Sequence, residues 1–301
     1  MRSTEQALGL PPLAMEPRRR RPAYRRGGEL AWAAAFVMPY ATVFVAFAGY
    51  PLVVALWMGR DPALYRELYG ERLYWLAVLN TVLFVGIGVN LKMVLALLLS
   101  GFFLQRRWWI KPLLVIFVVP WFLATVQAFI SFHWMLIGEY GLIDGVLDQV
   151  FGIEGPTWFN HYPLALGSNI IAFAWKWLPL WTLILLAGRL AIPREIYEAA
   201  AVDGAGGVRR FAHVTVPMLA NLYLVCTLLA AIWGVGDFAT AYFVSGGTPV
   251  HATDVIATLS YRFAFEDAHP ALGIAVSVTM LPVLIPLGVL LMRRLQRGLQ
   301  L

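Results

Sequence analysis

The chain has 301 residues, 60% hydrophobic and 13% charged, with a mean hydropathy of +0.71 and a formal net charge of +6. Such a chain is too apolar to pack as one water-soluble core with a wettable surface, and this directs it to a bilayer. Its positive charge is gathered in a few short segments, which makes it a topology signal and argues against nucleic-acid binding.

Residues 1–28 join several prolines to the run Arg18, Arg19, Arg20 and Arg21 without any apolar stretch. They are predicted to form a disordered cytoplasmic arm able to touch anionic membrane lipid. No short apolar stretch with a small-residue cleavage site precedes the first span, so a cleavable signal peptide is not expected. Six stretches then provide the roughly 20 apolar residues that a spanning helix needs, at about 29–58, 74–102, 110–137, 164–188, 218–244 and 270–292. Residues 29–295 therefore read as one all-α, polytopic membrane domain with six transmembrane helices.

Orientation follows from the basic residues. Most of the 23 lie in the arm, in the second connection (Arg106, Arg107, Lys111), in the fourth (Arg189, Arg194, Arg209, Arg210) and in the tail (Arg293, Arg294, Arg297). The other connections carry acidic residues such as Asp61, Glu67, Asp144 and Glu266. Short loops rich in Lys and Arg stay in the cytoplasm, so both termini are predicted cytoplasmic. The long opposite loop, about 138–163, is rich in Gly and Pro and ends in Trp158, Phe159, His161 and Tyr162. Those aromatics are expected to form an interfacial anchor, the alternative being a docking surface for an external protein. Cys226 is a single cysteine within the fifth span and can form no intrachain disulfide.

The fourth connection, 189–217, is a polar, glycine-broken stretch between two apolar spans. Pro193 suits a first helical position, Glu195 lies where the helix dipole favours an anion, and Ile192, Ile196, Ala199 and Ala200 form an apolar stripe. A short helix is predicted from about Pro193 to Asp203, stopped by Gly204 in the left-handed region, with Gly206 and Gly207 leaving room for another backbone. A second short helix is predicted over about Val208–Val214 with Phe211 as an aromatic knob, and Pro217 opens the fifth span.

Glu198-Ala199-Ala200, Gly204 six residues after the Glu, and Val214-Thr215-Val216-Pro217 ten residues beyond that Gly resemble the EAA loop of permease subunits of binding-protein-dependent ABC importers. The flanking Ala191–Tyr197, Asp203-Gly204-Ala205 and Phe211 are similar to the carbohydrate-importing branch, the maltose and glycerol-phosphate type. So are Asn80-Thr81-Val82-Leu83-Phe84, Ser245-Gly246-Gly247-Thr248-Pro249 with Thr253, and Tyr261 with Ala264-Phe265. The resemblance covers most of residues 30–295. It implies the type I importer transmembrane fold in a bacterial cytoplasmic membrane. It also implies that the loop is a coupling helix inserting into a cleft of an ABC ATPase dimer. Glu198, Ala199, Ala200, Asp203, Gly204, Ala205, Phe211 and Pro217 would then be the coupling residues. The implied partners are that ATPase, which uses ATP and Mg, a second homologous permease, an external solute-binding protein and a sugar-type substrate. Departures from the family pattern are Val214-Thr215-Val216-Pro217 for Ile-x-Leu-Pro, Asp144 where many sugar permeases have Asn, and Thr248 interrupting Gly-Gly-Pro.

Charge inside a bilayer costs about 3 kcal/mol on insertion scales, so Lys92, Lys176 and Asp237 need partners or a water-filled path. Lys176 stands between Trp175 and Trp177, with Trp181 one turn beyond Trp177. Sugars bind by stacking on aromatic faces and by hydrogen bonds, so Trp175, Lys176, Trp177, Trp181 and Asp237 are candidates for the substrate path. The opposing expectation is structural: Lys92 pairs or snorkels, the tryptophans face lipid, and Asp237 sits near the outer interface. Hydrolase, zinc-protease and phosphate-loop signatures are missing, and the five His are too scattered for a metal site. No enzyme activity, directly bound cofactor or metal is therefore expected. A self-sufficient secondary transporter or channel is the competing reading; it calls for ion-coupling carboxylates near the midplane.

Overall fold

A computed structural model describes residues 26–138 and 141–298, so residues 1–25 of the arm predicted over 1–28 lie outside the described residues, while residues 26–28 belong to the first helix. Among the described residues every regular element is helical. The chain divides into two compact units, Met1–Val54 and Ala55–Leu301.

In the first unit, helix α1 (Arg26–Phe44) leads through a widened π turn, Val45–Gly49, into α2 (Tyr50–Met58), whose first five residues close the unit. The stretch Trp32–Met58 is long and apolar enough to cross a bilayer. Trp32, Phe36 and Phe47 are exposed, as suits helices whose solvent is hydrocarbon.

The second unit begins at Ala55, within α2, and continues with α3 (Pro62–Gly70), whose N-cap Asp61 accepts a hydrogen bond from the Ala63 amide at 2.9 Å. Helix α4 (Arg72–Phe103) is the second span. The third predicted span, 110–137, is not one straight helix. It consists of α5 (Ile110–Phe122) and α6 (Thr125–Met135), bent by 99° at Leu123 and Ala124. Pro120 inside α5 lacks a backbone N–H, and Leu123 and Ala124 take extended ψ values of 143° and 132°, which ends the helix. The long loop predicted at 138–163 contains a helix, α7 (Leu142–Phe151), stopped by Gly152 at φ 64°.

Helix α8 (Tyr162–Leu190) is followed by the two short helices of the fourth connection, α9 (Arg194–Val202) and α10 (Gly207–Arg210), and by α11 (Val216–Val235). The fifth span ends at Val235, short of the predicted 244, because Gly236 and Asp237 break it before a separate π turn at Ala241–Ser245. Helices α12 (Ile256–Tyr261), α13 (Pro270–Val278) and α14 (Leu281–Gly298) complete the unit, the last two forming the sixth span.

Helices α4 and α8 lie side by side and run parallel. Asn80 meets Tyr162 near their starts, Phe84 meets Phe173 at 4.7 Å between ring centroids, and Leu97 meets Arg189 near their ends. Helix α11 runs the other way, contributing Cys226 and Ala230 to the same core. Lipid tails are as apolar as Leu, so these helices gain little from the hydrophobic effect and associate by close packing. Gly88 shows how close: a Cβ there would lie 3.1 Å from the Phe173 ring.

Candidate functional site

Two polar constellations sit at opposite ends of the α4, α8 and α11 bundle. The first is the 189–217 connection. Glu195 lies in the first turn of α9, as the sequence predicts, whereas Pro193, expected at the first helical position, stands one residue earlier at the N-cap with an extended ψ of 139°. At the other end the Ala205 amide bonds to the Ala200 carbonyl at 2.9 Å and the Gly204 amide to the Ala201 carbonyl at 3.1 Å. This is a Schellman stop, and it needs the left-handed residue that Gly204 supplies at φ 76°.

The second predicted helix of the connection is not a separate element. Helix α10 passes through a π turn at Phe211–Thr215 directly into α11, giving one helix over Gly207–Val235. Pro217 explains the wide turn: it cannot donate to the residue four positions back and its ring would crowd that carbonyl. The extra residue at the π turn lets the Val216 amide reach the Phe211 carbonyl instead. Tyr197 Oη lies 3.1 Å from Thr215 Oγ1, so α9 is tied back to the start of the long helix.

Among the described residues nothing covers the outer face of this connection. No residue of α9 is buried, Glu198, Ala199, Asp203 and Gly204 are exposed, and Ala200, Ala205 and Phe211 are half-buried. Val202 and Val208 stand 89% and 84% exposed on an otherwise polar turn. A Cβ at Gly204, Gly206 or Gly207 would meet nothing within 4 Å, so an approaching surface would find open backbone there.

At the other end two separated sequence motifs come together, one at Asn80 and Thr81 and one at 245–253. Asn80, fully buried, donates to the Ala252 and Asp254 carbonyls at 2.7 and 2.8 Å and accepts from Tyr162 Oη at 2.9 Å. Thr81 Oγ1 accepts from the Ile256 amide at 2.9 Å. Asn169 donates to Ser245 Oγ at 2.9 Å, and Ser245 Oγ lies 3.0 Å from Thr253 Oγ1. Gly246 and Gly247 turn the chain at φ 60° and 81°. A Cβ on Gly247 would collide with Asp254 and Arg262, which pair with Asp254 Oδ2 3.0 Å from Arg262 Nε. Burial pushes the Asp254 carboxyl above the usual carboxylate range, and the Arg262 guanidinium opposes that push. Sequence reasoning quoted Asn80, Ser245 and Thr253 as motif residues; it missed Tyr162, Asn169, Asp254 and Arg262 as their partners.

The candidate path residues do not form one cluster. Trp175 faces Phe132 of α6 at 5.8 Å, while Trp177 and Trp181 face Trp233 of α11 at 5.9 and 5.7 Å. Lys176 is 1% exposed and donates to the carbonyls of Pro120, Trp121 and Leu123, the acceptors freed where α5 ends. Asp237 accepts from the Thr240 amide at 2.8 Å just beyond α11. Lys92, also 1% exposed, lies 3.6 Å from the Phe173 ring centroid, a cation–π contact. Trp233, half-exposed beside two candidates, was not singled out from the sequence. In the loop before α8 the expected aromatic anchor is partly turned inward: Trp158 Nε1 donates to Asp144 Oδ1 at 2.7 Å and Phe159 stacks on His133 at 4.9 Å.

Long apolar helices, a polar clamp at one end of the bundle and an exposed, rigid turn between two spans at the other define a multi-pass membrane permease. Residues 31–300 match the family described as "Binding-protein-dependent transport system inner membrane component". The chain belongs to that family, whose members are transport subunits and not enzymes, working with a solute-binding protein. It is 31% identical over 219 residues to the sulfoquinovosyl glycerol transport system permease protein SmoG of Agrobacterium fabrum, covering 72% of this chain and 70% of that one. It is 29% identical over 255 residues to the trehalose/maltose transport system permease protein MalF of Thermococcus litoralis, covering 80% and 86%. Its fold matches a chain of a bacterial alginate ABC transporter, solved in complex with an alginate pentasaccharide-bound periplasmic protein, with a TM-score of 0.80 at 18% identity over 88% of this chain and 93% of that one. The family assignment removes the competing reading of a self-sufficient secondary transporter.

Proposed function

We propose that this chain forms half of the membrane channel of an ATP-driven importer for a sugar or sugar derivative, and that its 189–217 connection is the docking element for an ABC ATPase dimer. A second permease of the same family supplies the other half. ATP and Mg are handled on the ATPase chains. Both termini lie on the ATPase side, in the cytoplasm, as the basic residues of the connections indicate.

The observation that carries the coupling reading is the exposed turn. Its backbone is held by the Gly204 stop and by the tie from Tyr197 to Thr215, yet it presents Val202, Val208 and a small-residue face to nothing among the described residues. Apolar side chains standing on a rigid polar turn fit a groove of a protein partner. Glu198, Ala199, Ala200, Asp203, Gly204, Ala205, Phe211 and Pro217 are assigned to this element. Carbohydrate as cargo is supported by the relatives, whose names specify sulfoquinovosyl glycerol, trehalose, maltose and diacetylchitobiose transport. Within the bundle Trp233, exposed and backed by half-buried Trp177 and buried Trp181, offers a ring face on which a sugar can stack.

The test is Glu198→Lys in the assembled transporter. The added cation on the exposed face is expected to abolish co-purification of the ATPase while the permease stays in the membrane. Normal co-purification together with normal ATP-driven uptake refutes the docking assignment. Stimulation of ATP hydrolysis by binding protein loaded from a panel of glycosides, amino acids and oligopeptides tests the cargo class, and stimulation only by a non-carbohydrate overturns it.

A further inference from the structure

Arg189 stands in the last turn of α8, at the entry to the connection, and is 9% exposed although it is charged. Its Nη2 donates to the Leu97 carbonyl of α4 at 3.2 Å, and its guanidinium carbon lies 5.2 Å from the centroid of the Phe211 ring. The guanidinium also fills the space beside Gly101 of α4 where any side chain would have been. One side chain thus touches α4, belongs to α8, and faces Phe211, the residue that opens the π turn within the long Gly207–Val235 helix. A planar guanidinium suits this position, since it stacks on an aromatic face while donating at its edge.

We propose that Arg189 is a positioning residue that transmits movement of the 189–217 connection into α4 and α8. The inference rests on the docking reading above and adds a relay to it. A rigid turn moved from outside needs a stiff contact to more than one span, otherwise its displacement is absorbed by the two chain segments leading from it. Tyr197 braces α9 to the π turn just before α11; Arg189 braces Phe211 to the two parallel spans of the core.

The experiment uses the whole transporter with its second permease and ATPase, in lipid nanodiscs. Cys226→Ala removes the buried thiol, and Val250→Cys places a reporter on the exposed turn at the far end of the bundle. The readouts are ATPase co-purification, ATP hydrolysis, and the change in maleimide labelling of the reporter caused by ATP with vanadate. For Arg189→Ala the expected result is retained co-purification and hydrolysis with the ATP-dependent labelling change reduced about tenfold. Gly101→Ala, which displaces the guanidinium without removing it, is expected to shift in the same direction. Adding Phe211→Ala to Arg189→Ala is expected to cost less than the two separate effects combined, because they act through one contact. The relay is overturned if the labelling change survives in Arg189→Ala, or if that variant loses the ATPase instead. Failure of the docking reading looks different: Glu198→Lys then keeps both ATPase and labelling change, or the parent shows no ATP-dependent change at all.

Discussion

Lys176→Met separates two roles for a buried cation. Methionine replaces the apolar stem and removes three donors, leaving the carbonyls of Pro120, Trp121 and Leu123 unpaired at the elbow between α5 and α6. At the average of about 0.6 kcal/mol measured for interhelical hydrogen bonds in a membrane protein, three bonds contribute about 2 kcal/mol. At the roughly 1.5 kcal/mol usual for a bond to a charged group, they contribute about 5 kcal/mol. A loss of about 3 kcal/mol is therefore expected, read as thermal unfolding of the purified transporter in detergent. Spin labels at Leu113→Cys on α5 and Ile130→Cys on α6, both exposed, report the elbow directly, and their distance distribution is expected to broaden. Unchanged stability with an unchanged distance refutes the capping argument. Unchanged stability with altered substrate affinity would place Lys176 on the cargo path instead.

Gly204→Val keeps the outer surface apolar but forces a β-branched residue to φ 76°; the strain is of the order of 1–2 kcal/mol. The protein is expected to remain folded and inserted while ATP-driven uptake falls to background, checked by transport in vesicles against membrane abundance. Asn80→Ala leaves the Ala252 and Asp254 carbonyls and the Tyr162 hydroxyl without their partner, a loss of about 2–3 kcal/mol. Hydrogen exchange in residues 246–256 is expected to accelerate, with exchange in 194–205 unaltered at the other end of the bundle.

The parts legible in the sequence were those whose causes are local. A helix between Pro193 and Asp203 with a stop at Gly204 follows from a proline, an acidic first turn and a glycine that reaches positive φ, all within a dozen residues. The long apolar helices follow from composition alone. The π turn at Phe211–Thr215 was missed although Pro217 announces it, because a proline after a helical stretch marks a new start as readily as a widened turn. Only continuation of the helix through the position decides between them.

The elbow and the relay were hidden for a different reason. Pro120 permits a break but does not set its angle, since prolines inside spanning helices are usually accommodated by neighbours that satisfy the freed backbone groups. Here the neighbour is Lys176, more than fifty positions away on α8, and its buried ammonium supplies three donors. From the sequence the same lysine, flanked by Trp175 and Trp177, had the chemistry of a sugar contact. Arg189 was counted only as one more positive charge on the cytoplasmic side, although a cation at the end of a span satisfies the orientation rule equally well in solvent or packed against an aromatic ring. In both cases residue type was informative about charge, and the partner's position in the fold was what turned that charge into a structural role.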